Sequence, residues 1–343
     1  MVPDSAEFYA KAPPDRGASS FVYPPTGANL DFFAKALEAG CLVAIPTETV
    51  YGLAGLALNE TACRSIFAVK GRPLVDPLIV HVPHPSMVGE LAVPPAVFDL
   101  VAEAFWPGPL TVVLRKRPIV PHLVTAGKDT VAIRMPRHPV AHALLERIPG
   151  PLAAPSANPF GYVSPSEAAH VAESFGNRVP FVIDGGPCEI GLESTILDLS
   201  EPDQPAILRP GAISAEQLTK VIGLPVRERQ IELGIEETAS APGTFSRHYS
   251  PKSGLTLFPQ GSRPQVADNE AVLFLKRPEG TAGKDVYWLS EDGSLNEVAK
   301  GLFSLLRKLD RAGYAGIHCE LPSAGSGGIA VAIRDRMKRA AAK

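Results

Sequence analysis

Short apolar runs alternate with helical patterns along most of the chain, and this alternation limits the possible folds more than any other feature. It predicts strands at 41–45, 78–82, 111–114, 130–133, 181–183, 195–199 and 206–208. Helices are predicted at 60–69, 95–104, 140–145, 166–175 and 215–221. A further helix should start near Ala28, with Asn29 as its cap, and end before Gly40. Interleaved strands and helices indicate an α/β or α+β body, although periodicity does not give its strand order.

A second α/β pattern begins after a polar, acid-rich stretch at 223–242, which is typical of an inter-domain connection. Its predicted strands are 255–258, 271–275, 286–289 and 316–319, and its predicted helices are 295–312 and 329–341. This pattern predicts a small parallel-sheet domain. The expected division is an N-terminal extension (1–26), a main domain (27–213), a linker (214–252) and an accessory domain (253–343).

Charge and cysteine content exclude several classes of protein. The 33 basic and 36 acidic residues give a net charge of −3, which disfavours a strongly basic nucleic-acid-binding protein. Four cysteines without a C-x-x-C pair predict buried thiols in a reducing compartment. The N-terminus lacks a secretory pattern, and no apolar stretch of about 18 residues is present. We therefore expect a cytoplasmic protein with no membrane contact.

Polar side chains directly follow the first predicted strand, in the run Pro46-Thr47-Glu48-Thr49-Val50-Tyr51-Gly52-Leu53. Turns that follow strand ends are where α/β sheets bind ligands. This short turn carries two hydroxyls, a carboxylate and a phenol, which is a high density of polar groups. A capped turn, in which Thr47 or Thr49 bonds the local backbone, explains the pattern about equally well.

Two cations stand close together in Lys70-Gly71-Arg72-Pro73, ahead of Asp76-Pro77-Leu78 and His81. A lysine and an arginine on a stiff turn suit a phosphate group. We expect these charges to face solvent or ligand and to contribute little to stability. The alternative is a basic helix end favoured by the helix dipole, which suffices for Lys70 alone.

Two later segments carry neutral and charged hydrogen-bonding groups. Ser156, Asn158 and Ser164 lie in a proline- and glycine-rich loop, which by itself is most often only a turn. Arg209 closes an apolar strand after Glu193-Ser194-Thr195, and a buried arginine requires an anionic partner from the protein or a ligand.

Several catalytic motifs are missing from the sequence. It contains no Walker A, G-x-G-x-x-G, G-x-S-x-G or H-E-x-x-H pattern, and its eight histidines do not fall at metal-ligand spacing. Phosphate-loop NTPases, dinucleotide dehydrogenases, α/β-hydrolases and zinc hydrolases are therefore disfavoured.

Taken in order, these segments resemble the threonylcarbamoyl-adenylate synthase family, also called the YrdC-like family. The similarity covers about residues 28–213, and the run from Pro242 to Pro251 resembles the linker of the family's two-domain form. The resemblance implies a YrdC-like twisted-sheet α/β catalytic domain and a smaller, Rossmann-like α/β/α C-terminal domain.

The resemblance also implies an activity: synthesis of L-threonylcarbamoyl-adenylate from L-threonine, bicarbonate or CO2, and ATP, with release of pyrophosphate. Mg²⁺ is expected with ATP, without a tightly bound metal held by the protein. Partner proteins would transfer the product to an adenosine beside the anticodon of certain tRNAs, and weak direct contact with tRNA is possible.

Site residues follow by position. The resemblance places L-threonine on Thr49, His81, Arg134 and Ser194. It gives Lys70 and Arg72 catalytic roles and places ATP on Lys70, Arg72, Asp76, Thr130, Ser156, Asn158, Ser164 and Arg209. Asp76 departs from the family, which usually has Asn there, so its nucleotide contact is in question.

The linker adds His248 and Tyr249 to the predicted ATP site. An arginine, a histidine and a tyrosine in sequence, Arg247 to Tyr249, suggest a lid over the nucleotide with Arg247 or His248 near phosphate. The alternative is that Tyr249 and Phe245 only fasten the linker to the second domain.

Two other functions compete with adenylate synthesis. One is carbamoyl transfer as in hydrogenase maturation, whose chains normally carry zinc-finger segments that this sequence lacks. The other is an RNA-binding module without catalysis, which the net charge of −3 weighs against.

Overall fold

The predicted alternation of strands and helices is present in the structure, a computed structural model that describes residues 8–15, 21–229, 248–280, 283–324 and 326–342. One twelve-stranded mixed sheet forms the first domain, in the order β1-β9-β2-β3-β8-β4-β7-β6-β10-β11-β12, with β5 paired to β6. Its strands are β1 (Val22–Tyr23), β2 (Val43–Ile45), β3 (Gly52–Leu56), β4 (Ile79–His81), β5 (Ala92–Val93), β6 (Leu110–Lys116), β7 (Thr130–Arg134), β8 (Leu152–Ala153), β9 (Val182–Ile183), β10 (Thr195–Asp198), β11 (Ala206–Arg209) and β12 (Arg227–Glu228).

Helices of the first domain lie close to their predicted positions. They are α1 (Gly27–Glu38), α2 (Glu60–Lys70), α3 (Val88–Leu91), α4 (Val97–Phe105), α5 (Pro139–Leu145), α6 (Ala168–Phe175) and α7 (Ala215–Ile222). Short 3-10 turns occupy Pro85–Met87 and Gly176–Arg178. The predicted cap of α1 is wrong: the Thr26 hydroxyl caps the helix, whereas the Asn29 amide donates to the carbonyl oxygens of Asp15 and Pro24.

The end of α2 shows why its sequence ends in Lys-Gly-Arg. Gly71 adopts φ 62°, a left-handed conformation that glycine reaches without steric cost, and thereby ends the helix directly after Lys70. The chain then reverses, so that Lys70 and Arg72 are held on the two sides of one tight turn.

The polar run at 46–53 is only partly the turn that was predicted. Residues 46–51 form a loop, and β3 then begins at Gly52 and runs antiparallel to β2 with Ile45 opposite Gly52. Gly52 also bridges to Ser156, and a side chain there would meet the Ala154 methyl at 3.2 Å. The glycine therefore permits the loop around Ser156 to approach this hairpin closely.

The second domain is an all-parallel sheet with two long helices, as predicted. Its strands are β13 (Gly254–Pro259), β14 (Glu270–Lys276), β15 (Val286–Ser290) and β16 (Gly316–Leu321), in the order β13-β16-β14-β15. Its helices are α8 (Leu295–Ala312) and α9 (Ile329–Ala341). Residues Val50, Val163 and Leu192 of the first domain are buried within this domain's hydrophobic core, so the two domains share an apolar interface.

Packing moves the end of the first domain beyond the predicted boundary at 213. Leu218 and Ile222 of α7 are buried in the main core, and β12 pairs with β11 in parallel. The first domain therefore extends to residue 229, and the chain from 230 to 247 lies outside the described residues. At the other end, Phe8 and Tyr23 of the N-terminal extension are buried in a core cluster.

The structure bears on two further predictions, that of buried thiols and that of no membrane-spanning segment. All four cysteines are free and buried. Within the described ranges, no helix combines the length and hydropathy needed to cross a bilayer.

Candidate active site

A cavity of about 40 Å³ lies where several strand ends meet, and predicted site residues surround it. Strand register explains the convergence, because Arg134 of β7 is the Cα partner of both His81 in β4 and Thr111 in β6. Ile196 of β10 continues this row to Arg209 at the end of β11. Nine of the fourteen predicted residues line the cavity: Thr49, Arg72, His81, Arg134, Ser156, Ser194, Arg209, His248 and Tyr249.

The predicted threonine side is organised around the Arg134 guanidinium. Its Nη1 donates to the Thr49 hydroxyl at 2.8 Å, and its Nη2 lies 2.7 Å from a Glu48 carboxylate oxygen. Burial alone would raise the pKa of Glu48, but the Arg134 charge lowers it below its usual value. The arginine is therefore held by a carboxylate behind it while its Thr49 contact remains at the cavity wall.

His81 is neutral at physiological pH. Burial, reinforced by the nearby Arg134 charge, lowers the pKa of His81 to about 3. Its Nδ1 lies 3.2 Å from the Ile79 carbonyl oxygen, which can only accept a hydrogen bond from the ring. A neutral imidazole beside a cationic arginine can accept a hydrogen bond from an ammonium or hydroxyl group.

Ser194 and Arg209 also line the cavity. The Ser194 hydroxyl is 2.8 Å from the Thr111 hydroxyl and accepts from Arg209 Nη2 at 3.1 Å. Arg209 also donates twice to the Ser194 carbonyl oxygen, so its orientation is fixed. Gly211 makes this approach possible, since a Cβ there would lie 2.2 Å from the Thr195 amide nitrogen.

The cationic pair does not face solvent, although one of its members faces the cavity. Lys70 is 3% exposed and donates to the carbonyl oxygens of Ser156 and Asn158. Arg72 is 7% exposed and forms an ion pair with the fully buried Asp76 at 2.9 Å. Burial, aided by the Arg72 charge, lowers the pKa of Lys70 well below its usual value. Arg72 lines the cavity, whereas Lys70 lies behind it and holds the loop at 156–158.

Five predicted residues, Lys70 among them, do not reach the cavity wall. Asp76 is the buried partner of Arg72, the Asn158 amide donates to Pro159 and Tyr162, and the Ser164 hydroxyl donates to Glu193. Thr130 lies at the opposite end of β7 from Arg134 and lines a separate, narrower cavity with Pro77 and Leu78. Nucleotide contacts for these residues remain predictions.

Two linker residues reach the cavity, and one of them also contacts the second domain. His248 and Tyr249 line the wall beside Arg72 and Arg209. Tyr249 also stacks on Phe303 of α8 with ring centroids 5.5 Å apart, which fastens it to the second domain. Its φ of 62° is costly for a non-glycine residue and is typical of functional sites. Arg247 and Phe245 lie outside the described residues.

Unsatisfied polar atoms mark this wall as a ligand surface. His248 Nδ1 and the Tyr249 hydroxyl are buried without a hydrogen-bond partner among the residues that the structure describes. Burial, followed by repulsion from Arg72, lowers the pKa of His248 well below its usual value, so its ring is neutral. Burial also raises the pKa of Tyr249 to about 12. Buried groups of this kind normally find partners, and a ligand in the cavity would supply them.

Sequence reasoning missed two carboxylates of the site. Glu48 and Glu193 both stand inside quoted motifs, yet neither was predicted as a functional residue. Glu193 lines the cavity at 5% exposure, and Glu48 supports Arg134 from behind. The sequence did contain a signal for them, because each glutamate directly precedes a predicted site residue, Thr49 or Ser194. A buried arginine in such a site needs a carboxylate partner.

Comparison with known proteins gives matches to both domains of the chain. The family model described as telomere recombination, for Sua5, YciO and YrdC proteins, matches residues 35–211, and the one described as the threonylcarbamoyl-AMP synthase C-terminal domain matches 213–342. A threonylcarbamoyl-AMP synthase of Pyrococcus abyssi is 41% identical over 320 residues, covering 90% of this chain and 92% of its own length. That of Bacillus subtilis is 38% identical over 321 residues, covering 90% and 91%.

A solved structure resembles the whole chain. The crystal structure of P. abyssi Sua5 complexed with L-threonine superposes with a TM-score of 0.83 at 38% identity, covering 91% of this chain and 94% of that one. Similarity over both domains, together with the converged cavity residues, shows that this chain belongs to the threonylcarbamoyl-AMP synthase family, in its two-domain form.

Proposed function

We propose that the protein makes L-threonylcarbamoyl-adenylate from L-threonine, CO2 or bicarbonate, and ATP, as a nucleotidyltransferase. The observation that carries the proposal is one cavity lined by two kinds of chemical group. The first kind is the set of Arg134, Thr49 and neutral His81, and the second is the pair of guanidinium groups of Arg72 and Arg209. The first suits an amino acid with a carboxylate and a hydroxyl, and the second suits phosphate oxygens.

The chemistry requires two anions to react with each other. The threonine amine adds to CO2 with loss of a proton, which gives a carbamate. A carbamate oxygen then attacks the α-phosphorus of ATP, a P–O bond forms, and the bond to the departing pyrophosphate breaks. Arg134, Arg72 and Arg209 would offset the repulsion between carbamate and triphosphate and hold them in line. No covalent protein intermediate is needed.

Lys70 contributes by position rather than by direct contact. Its ammonium binds the carbonyl oxygens of Ser156 and Asn158 and so fixes the loop that carries the Ser156 side chain to the cavity. We therefore propose that Lys70 supports catalysis by holding this loop in place.

Mg²⁺ would enter with the triphosphate. Glu193 is the sole carboxylate among the described residues that line the cavity, and both its oxygens already accept hydrogen bonds. A bound Mg²⁺ would therefore take most of its ligands from phosphate oxygens and water. Its chemistry would be to neutralise charge on the phosphates.

A lid motion of the linker is part of the proposal. The cavity of about 40 Å³ is far smaller than the several hundred Å³ typical of ligand pockets. His248 and Tyr249 form part of its wall, so ATP would enter by displacing this short segment. Closure over bound ATP would keep water away from the carbamate and the mixed anhydride, both of which hydrolyse.

The chemistry of the product indicates which partners use it. A threonylcarbamoyl-adenylate is an activated donor, so we propose that separate transfer proteins use it to modify tRNA, with at most weak tRNA contact by this chain. Four buried free thiols favour a reducing compartment, and hence the cytoplasm. Neither RNA binding without catalysis nor carbamoyl transfer has support from an observation here.

Pyrophosphate release from ATP tests the proposal. Purified protein is assayed with Mg²⁺ in the absence of RNA, with and without L-threonine and bicarbonate. We expect release only when both are present, together with a product that contains threonine, one carbon and AMP. Release that is independent of threonine would overturn the proposed function.

A further inference from the structure

Arg336, on the last helix of the second domain, is fully buried against the active site of the first domain. Its Nε donates to Glu193 Oε2 at 2.7 Å, and its Nη2 donates to the Pro210 carbonyl oxygen at 2.9 Å. The guanidinium also lies over the Tyr249 ring, 5.3 Å from its centroid. One side chain thus contacts three segments that surround the cavity.

Glu193 connects Arg336 to the predicted ATP residues. One of its oxygens accepts from Arg336 and the other accepts from the Ser164 hydroxyl at 2.5 Å. Its carboxylate lines the cavity, while Ser164 lies behind it. The rotamer of Glu193 is therefore set from the second domain, and the Ser164 hydroxyl is oriented through Glu193.

Thr49 and Arg134 of the predicted threonine side are held outside this network, whereas Ser194 adjoins Glu193 in the chain and accepts from Arg209. Arg134 is held by Glu48 and by the Gly108 carbonyl oxygen, both in the first domain. Its link to Thr49 is also internal to the first domain. A change at Arg336 should therefore affect the two substrates unequally.

We propose that Arg336 is a positioning residue for ATP, acting through Glu193 and Tyr249, so that the second domain completes the nucleotide side of the site. This inference rests on the proposed function. Arginine suits the task because its planar, forked donors serve several partners at once, whereas a lysine ammonium cannot hold the same geometry. The second domain is then part of the active site rather than an appendage.

The test compares Arg336→Lys, Glu193→Gln and the double variant with the full-length wild type. We expect Arg336→Lys to raise the KM for ATP and to lower kcat/KM by about 100-fold, the typical cost of misplacing a reacting group by about 1 Å. The KM for L-threonine should change much less, because Arg134 and Thr49 keep their contacts in the first domain. The double variant should lose no more than the worse single variant, because both changes remove the same contact.

Arg311→Ala is the matched control. Arg311 also joins α8 of the second domain to the first domain, through Glu173, but this ion pair is exposed and lies outside the cavity lining. It should keep wild-type kinetics. If Arg336→Lys changes the KM for both substrates equally, or if the two losses multiply in the double variant, the positioning role is wrong.

Binding of a non-hydrolysable ATP analogue separates this inference from the proposed function. Its affinity, measured by calorimetry, should fall in Arg336→Lys and not in Arg311→Ala, whether or not the protein makes the adenylate. Wild-type protein that binds the analogue but releases no pyrophosphate would contradict the function alone. Unchanged affinity in Arg336→Lys would contradict the positioning role alone.

A second, independent feature is a group of two histidines and a glutamate outside the cavity. His84 Nε2 and His142 Nδ1 lie 3.3 Å and 3.7 Å from Glu146 Oε1, and the three ligand atoms are all within 4.8 Å of one another. Tetrahedral zinc with bonds of about 2.0–2.1 Å separates its ligand atoms by about 3.3 Å. The spacing along the sequence gave no sign of this group, because His84 lies far from α5 in the chain.

We further propose that His84, His142 and Glu146 bind one Zn²⁺, with water completing the shell. Two imidazoles and a carboxylate suit this ion, and the 48–56% exposure of His84 and Glu146 leaves room for water. The ion would join two segments of the chain. One follows β4, the strand that ends in His81, and the other follows β7, the strand that ends in Arg134.

Calorimetric titration with ZnCl2 tests this site. We expect one ion per chain in the wild type and in His122→Ala, a control histidine that is exposed and outside the group. His84→Ala and His142→Ala should each weaken binding at least tenfold. Binding that is unchanged in both variants, or an absence of saturable binding in the wild type, would overturn the proposal.

Discussion

Replacing Arg72 with alanine should both inactivate and markedly destabilise the protein. Its Nη2 lies 2.9 Å from Asp76 Oδ2 and donates to the Pro77 carbonyl oxygen at 2.7 Å, and its Nε donates to the Asp76 carbonyl oxygen. The side chains of Arg72 and Asp76 are 4% and 0% exposed. Removing one member of such a buried pair costs about 3–5 kcal/mol, because the other charge stays buried. For a domain of this size, that corresponds to a fall of about 6–20 °C in Tm.

Arg64→Ala is a matched control on α2, the helix that precedes Arg72. Arg64 pairs with Glu60 at the same sequence spacing of four, but at 3.7 Å and with both side chains about 60% exposed. Its loss should cost about 0.3–0.5 kcal/mol. Circular dichroism during heating and urea unfolding gives both values, and the double variant Arg72→Ala/Asp76→Ala should recover part of the loss. If Arg72→Ala unfolds like Arg64→Ala, the argument from burial is wrong and the original expectation of a ligand-facing charge holds.

Four further predictions concern the cavity and the domain boundary. Tyr249→Phe should leave Tm unchanged or slightly raised, since its buried hydroxyl has no partner among the described residues, yet should weaken binding of the ATP analogue measured by calorimetry. Valine should fail to replace threonine as a stimulator of pyrophosphate release, because a methyl group in place of the hydroxyl leaves polar groups of the pocket unpaired. The rate with serine should be lower than that with threonine by about 10- to 200-fold at most. Equal rates with valine and threonine would exclude a polar pocket. The pKa of His81 is about 3 in the folded protein, so below pH 6.5 only the unfolded chain takes up a proton at this residue, and stability falls as the pH decreases. Between pH 7 and pH 5, the free energy of unfolding in urea should fall by about 2 kcal/mol more in the wild type than in His81→Asn. Equal losses would contradict a neutral, buried imidazole. A chain that ends at residue 229 should fold, by circular dichroism, yet lose most synthesis because it lacks His248, Tyr249 and Arg336; full activity would leave the second domain without a role in the site.

Local sequence patterns were sufficient for most of the fold. The helix at Glu60–Lys70 was predicted because its start, its apolar spacing and its glycine stop all lie within a dozen residues. The four parallel strands of the second domain followed from apolar runs separated by helical patterns. The boundary at 213 moved to 229 because α7 belongs to the first domain by packing, which composition does not report.

Residue types and their order also located most of the site, because the motifs carry groups that few structural roles require. Thr49, His81, Arg134, Ser194 and Arg209 all reach one cavity, as the resemblance implied. What the sequence did not supply was which charges are buried. Lys70 and Arg72 were expected to face solvent or ligand and to contribute little to stability, yet the loops at 156–158 and 76–77 cover both from solvent.

Only tertiary structure decided which distant residues act together. Arg134, His81 and Thr111 are neighbours because β4, β7 and β6 pair in one particular register, and a shift of one residue would turn each side chain to the other face of the sheet. Arg336 reaches Glu193 across 143 positions of sequence because the two domains share an apolar interface. Local propensity depends on the nearest few residues, whereas these contacts depend on how whole elements pack, so no single segment of the sequence contains them.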